Sequence, residues 1–109
     1  MDKIIKPVNS VPQNIQEFDN IQSELRETYI HKNSRYGNSF DISVGKYGPI
    51  SALTRISDKF LRLENLVLNQ ELQSGTDEAL EDTLLDMANY CIMFVSYLRR
   101  NQSKEEESC

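Results

Sequence analysis

Apolar residues recur at helical spacing in three separate stretches of this chain. Between Pro12 and about Lys32, Ile15, Phe18, Ile21, Leu25 and Tyr29 return every three or four positions, the pattern of an amphipathic helix. Ser10 or Asn14 is a candidate cap, and Pro12 is tolerated in the first turn. A second stripe, Ile50, Leu53, Ile56, Phe60, Leu63 and Val67, predicts a helix from about Ile50 to Leu72. The motif "SGT" at 74–76 ends that helix and starts the next, with Thr76 as N-cap and Asp77 and Glu78 favourable in the first turn. The third helix is predicted from about Asp77 to Arg100. Its second half, "LLDMANYCIMFVSYL", is apolar almost all round, so it must be buried on several sides.

The stretch between the first two helices, "NSRYGNSFDISVGKYGP" (residues 33–49), has no such period. Its glycines, proline and Asn, Ser and Asp residues read as a loop. At about 17 residues it is long for a compact domain, and loops of that length are usually functional or disordered. Tyr36, Phe40 and Tyr47 would be out of place in a solvated linker, so the expectation is an ordered loop folded over something. No strand is predicted.

The fold class expected is therefore all-α: a helical bundle of three long helices with a long ordered loop. One helix apolar on most sides leaves three helices short of cover. The bundle is expected to be completed by homo-oligomerisation, as a dimer or larger. Residues 1–11 read as a flexible N-terminal segment, 12–100 as a single all-α domain and 101–109 as a disordered polar tail.

Composition narrows the function classes. The chain has 109 residues, 39% hydrophobic and 27% charged, consistent with one globular domain. Its net charge of −5 lacks the basic footprint of a duplex-DNA binder. A small anionic ligand is still allowed, because a local cluster decides that. No long apolar core marks a signal peptide or a membrane span. The two cysteines, Cys91 and Cys109, form neither a disulfide framework nor a zinc motif. The expected setting is cytoplasmic, in the host cytoplasm if the chain is phage-encoded, with no duplex nucleic acid and no membrane as partner.

Three constellations carry chemistry. On the second helix, Arg55, Asp58, Lys59 and Arg62 fall within roughly 100° of one another, nearly opposite the apolar stripe. Arg and Lys there suit phosphate groups, although a solvated surface would give the same pattern. On the third helix, Glu78, Asp82, Asp86, Asn89 and Ser96 form a narrow polar stripe. Asp82 and Asp86, at i and i+4, could share Mg²⁺, or they could pair with the cations of the second helix. In the loop, Lys32, Arg35 and Ser39 are candidate anion donors. Tyr36 and Phe40 are candidate stacking platforms, and Gly37 permits a close turn; the alternative is a capping loop whose aromatics finish the core. His31 and Cys91 read as structural.

Taken in order, "KNSRYGNSF", "RISDKFLRLENL" and "DTLLDMANYCIMFVSYL" resemble the phage and bacterial family called nucleotide modification associated domain 1, over roughly residues 25–98. The resemblance implies a role in nucleotide metabolism or DNA-base modification. More distantly the chain is similar to the all-α NTP pyrophosphohydrolases (MazG-like and dimeric dUTPase-like), which hold Mg²⁺ against a nucleoside triphosphate with acidic side chains on two helices. Against that pattern Asp86 takes the motif Asp and Tyr90 follows in its usual place. Thr83 stands where a Glu is expected, with Asp82 beside it. Asp58 stands for one acid of the preceding helix, while Lys59 and Arg62 replace others. The resemblance thus implies Asp58, Asp82 and Asp86 as metal ligands and Glu78, Asn89 and Tyr90 in support. Lys32, Arg35, Tyr36, Ser39, Arg55, Lys59 and Arg62 would contact the nucleotide.

The function expected is a nucleotide-binding protein with a pyrophosphohydrolase-like site and Mg²⁺ as cofactor. The alternative is a non-catalytic binder that sequesters or senses a nucleotide, possibly cyclic, in phage–host conflict. Whether there is turnover stays open at this level.

Overall fold

The computed structural model describes residues 11–36, 38–69 and 77–108. The side chains of Arg35, Tyr36, Asp77 and residues 103–108 fall outside that description. Four helices are described: α1 (Gln13–Tyr36), α2 (Ser39–Tyr47), α3 (Pro49–Leu68) and α4 (Asp77–Ser108). The fold is all-helical among the described residues. The chain divides into two compact units, Met1–Arg35 and Tyr36–Cys109.

The first unit is essentially α1. Its N-terminus is tied by the Pro12 carbonyl, which accepts from the amides of Ile15 and Gln16 at 3.1 Å each. Gln16 Nε2 also donates to the Val11 carbonyl at 2.9 Å. Pro12 therefore precedes the helix, and Asn14 lies inside it. Ser10 is outside the described residues. The predicted apolar stripe is present on α1, with Ile15, Phe18, Ile21 and Tyr29 exposed and Leu25 half-buried.

The second unit corrects the sequence reading in two places. The long loop expected over 33–49 contains a nine-residue helix, α2. Its glycine and serine content hides a short apolar repeat, Phe40 and Val44 at i and i+4, and both side chains are buried. Gly48 then turns the chain. Its φ of 87° lies in the left-handed region, which favours glycine. Its amide donates to the Val44 carbonyl at 2.8 Å and its carbonyl accepts from Ser51 at 3.0 Å. Pro49 follows at the first helical position, where its missing N–H is no loss.

The second correction concerns which side of α3 is covered. Of the stripe Ile50, Leu53, Ile56, Phe60, Leu63 and Val67, the side chains of Ile50, Leu53, Phe60 and Val67 are exposed, and Ile56 and Leu63 are half-buried. The buried positions are Ala52 and Leu66, with Arg55 and Lys59 half-buried between them. A small residue lets α4 approach closely, and long Arg and Lys stems cover apolar surface while their heads stay polar.

Helices α3 and α4 run antiparallel, because Lys59 meets Asp86 while Arg62 meets Thr83. The core sits at one end of this hairpin, where α2 lies across it. Phe40, Val44 and Ala52 form its centre, with Tyr90, Met93, Phe94 and Tyr97 of α4 packed around them. Two polar contacts fix α2 in place. Ser43 and Ser51 share a hydroxyl hydrogen bond of 2.6 Å. Arg100 pairs with Asp41 at 2.9 Å while also donating to Ser96 Oγ at 2.7 Å. The predicted cap Thr76 and the "SGT" break lie outside the described residues. Helix α4 continues through Ser108. No helix among the described residues is long and apolar enough to cross a membrane.

Candidate functional site

The 3.6-residue repeat sets Arg55, Lys59 and Arg62 along one side of α3, and the hairpin turns that side toward α4. Lys59 Nζ donates to Asp86 Oδ2 at 2.8 Å, with the two side chains 29% and 23% exposed. Arg62 Nε donates to Thr83 Oγ1 at 3.1 Å. The Thr83 hydroxyl passes its own proton to the Ala79 carbonyl at 2.8 Å. Thr83 thus both accepts and donates, which accounts for its buried hydroxyl. The two helix surfaces therefore meet directly, through side chains of opposite charge or complementary hydrogen bonding.

Arg55 is different. Its guanidinium carbon lies 5.9 Å from the Phe40 ring centroid and 6.0 Å from that of Tyr90. The two rings are themselves 5.8 Å apart and tilted by 30°. The cation rests against two π faces. No carboxylate among the described residues forms an ion pair with it. Arg55 is half-buried and lies one helical turn from Lys59 on the same helix.

Other predicted residues are distributed more loosely. Asp58 and Arg62 of α3 and Glu78 and Asp82 of α4 are exposed, Asn89 is buried and Tyr90 is half-buried. Ser39 is exposed at the start of α2. Lys32 is exposed on α1, in the first unit. The side chains of Arg35 and Tyr36, and Gly37 altogether, lie outside the described residues. The structure thus brings together Arg55, Lys59, Arg62, Asp86 and Tyr90, and adds Phe40 and Thr83 to them. Of the two readings of Phe40, base stacking or finishing the core, its packing agrees with the second: it lies beneath Arg55 as part of the core. The Asp41–Arg100 pair was not anticipated, since its partners lie 59 positions apart (100 against 41) and no local pattern links them.

Of the expected metal ligands, Asp58 and Asp82 are exposed and Asp86 is half-buried. Among the described residues no three His, Cys, Asp or Glu side chains are grouped so as to hold a metal ion. The chemistry of the donors points the same way. Asp86 already faces the Lys59 ammonium, and a divalent cation bound to that carboxylate would be repelled by it. The donor set does not fit a metal pair.

What fold and site define together is a small all-helical domain with a cationic row turned into its central helix pair. The sequence model of the nucleotide modification associated domain 1 family matches residues 32–97. That is most of the chain, and the chain belongs to this family. No curated protein and no solved structure matches it.

Proposed function

We propose that this protein binds a nucleotide through its phosphate groups at the α3–α4 seam, with Arg55 as the principal anion donor and Lys59 beside it. The observation that carries the reading is Arg55 itself: a half-buried guanidinium, backed by Phe40 and Tyr90 and paired with no carboxylate among the described residues. A desolvated cation is costly unless an anion reaches it, and a phosphate offers the planar guanidinium a bidentate partner. Lys59 can exchange Asp86 for a phosphate oxygen, since its present pair is partly hydrated and worth little, about 1 kcal/mol or less. Membership of a nucleotide-modification family supports the same ligand class.

The biological setting proposed is nucleotide metabolism or base modification. Sequestering or sensing a signalling nucleotide, linear or cyclic, is the alternative use of the same contacts. Binding is favoured over Mg²⁺-dependent pyrophosphate release, because a hydrolase of that kind needs several carboxylates where this chain has Lys59 and Arg62.

Calorimetry of the full chain against deoxynucleoside mono- and triphosphates and cyclic dinucleotides tests the proposal. At least one ligand should bind, with affinity unchanged by a chelator. Arg55→Ala should weaken it about tenfold or more, ~1.4 kcal/mol, and Asp58→Ala should leave it alone. No binding at micromolar concentration, or binding indifferent to both Arg55→Ala and Lys59→Ala, ends the proposal. Pyrophosphate release that needs Mg²⁺ and Asp86 would replace it with the hydrolase reading.

A further inference from the structure

Three cations follow one another along the seam side of α3, and each meets a different kind of group. Arg55 rests on the Phe40 and Tyr90 rings, 5.9 and 6.0 Å from their centroids. Arg62 donates through Nε to the neutral hydroxyl of Thr83 at 3.1 Å. Lys59, between them, meets a charge: its ammonium lies 2.8 Å from Asp86 Oδ2. The chain thus sets a carboxylate against the middle of its own cationic row.

That pair is partly hydrated on both sides, and such pairs add little to stability. What Asp86 does for Lys59 is more specific. A half-buried ammonium is costly without an anion, and Asp86 supplies one from within the chain. A carboxylate offers a cation what a phosphate offers: paired oxygens, delocalised negative charge and a short charge-assisted hydrogen bond. The two anions cannot both hold the same ammonium closely, because like charges repel strongly where water is partly excluded.

We infer that Asp86 is an internal stand-in for phosphate: it occupies the Lys59 position of the seam and competes there with an incoming ligand. The inference rests on the nucleotide-binding reading above and adds a sign to it, since the chain's own carboxylate holds the affinity down. With no ligand bound, Asp86 keeps Lys59 turned toward α4, in line with Arg55 and Arg62. When a phosphate enters, one ion pair replaces another, and Asp86 turns to the water that its side chain already reaches. The metal-ligand role that the pyrophosphohydrolase resemblance implies for Asp86 has the opposite sign. There, removing its charge removes a ligand oxygen and weakens binding.

NMR titration of the full chain with sodium pyrophosphate is the test, at constant ionic strength and with a chelator present. This probe carries the phosphate chemistry without a base. Asp86→Asn keeps the shape of the side chain and removes its charge; it should bind about threefold to tenfold more tightly than wild type. Glu81→Gln removes the same charge from an exposed position of α4, roughly 140° round the helix from Asp86. It should change the affinity by less than about twofold, because water and salt screen it. The gain from Asp86→Asn should shrink on a Lys59→Met background, where no ammonium is left to release. Unchanged or weaker binding by Asp86→Asn overturns the inference while phosphate binding at the seam stands. A gain matched by Glu81→Gln, or undiminished without Lys59, also overturns it, since either reports net charge alone. Pyrophosphate that binds neither wild type nor Asp86→Asn overturns it too, and nucleotide calorimetry then decides separately whether the seam takes a phosphate ligand. Should Asp86→Asn fail to fold by circular dichroism, Asp86→Ser takes its place with the same expected gain.

Discussion

The seam between α3 and α4 has two halves, and they are built on different principles. Where α2 lies across it, Phe40, Val44 and Ala52 meet Tyr90, Met93, Phe94 and Tyr97, and the contact is apolar. Farther along, where α2 no longer reaches, the same two helices meet through Lys59–Asp86 and Arg62–Thr83. Arg55 stands at the border, its charge in the polar half and its face on the aromatic rings. Apolar packing is concentrated in the covered half, and the ligand contacts proposed above lie in the uncovered one. Apolar burial contributes by area and needs a third element to exclude water. Charged groups that must later exchange partners need partial hydration to make the exchange cheap.

This contrast can be broken most sharply in the apolar half. Phe40→Ala should cost about 3–5 kcal/mol, because it removes a buried aromatic side chain that α2 uses to dock. Urea denaturation with a fixed m-value would register it, and a loss under 1 kcal/mol would mean α2 contributes little. Next comes Ala52→Leu. Ala52 is fully buried, so added methylenes should cost about 1–3 kcal/mol by forcing α2 away from the hairpin; the same denaturation curve reads this.

The polar half should respond more weakly. A double-mutant cycle of Lys59→Met and Asp86→Asn should return a coupling of about 1 kcal/mol or less at low salt, falling as salt is added. A coupling several times larger would show a pair too tight to give way to a ligand, and the exchange proposed for Lys59 would be lost. The smallest effect is expected at Asp41–Arg100, whose side chains are 31% and 49% exposed. Asp41→Asn should cost only about 0.5 kcal/mol, measured as a small drop in the urea midpoint that disappears at high salt.

The sequence by itself determined the helical class, the approximate spans of α1, α3 and α4, and the cationic row of α3. Periodicity reports these because each depends on residues three or four apart. The family, too, was legible in three short runs whose order survives any arrangement of the helices. Only the tertiary structure decided which side of α3 faces inward. Ile50, Leu53, Phe60 and Val67 form the stronger apolar stripe, yet Ala52, Arg55 and Lys59 make the contacts with α4, and Leu66 is buried while that stripe stays exposed. A hydrophobic stripe states that a face needs cover without stating what supplies it. The helix at 39–47 was likewise settled by packing. Phe40 and Val44 are too short a repeat to declare a helix among glycines and serines, and it is their burial against Ala52 and Tyr90 that holds one there.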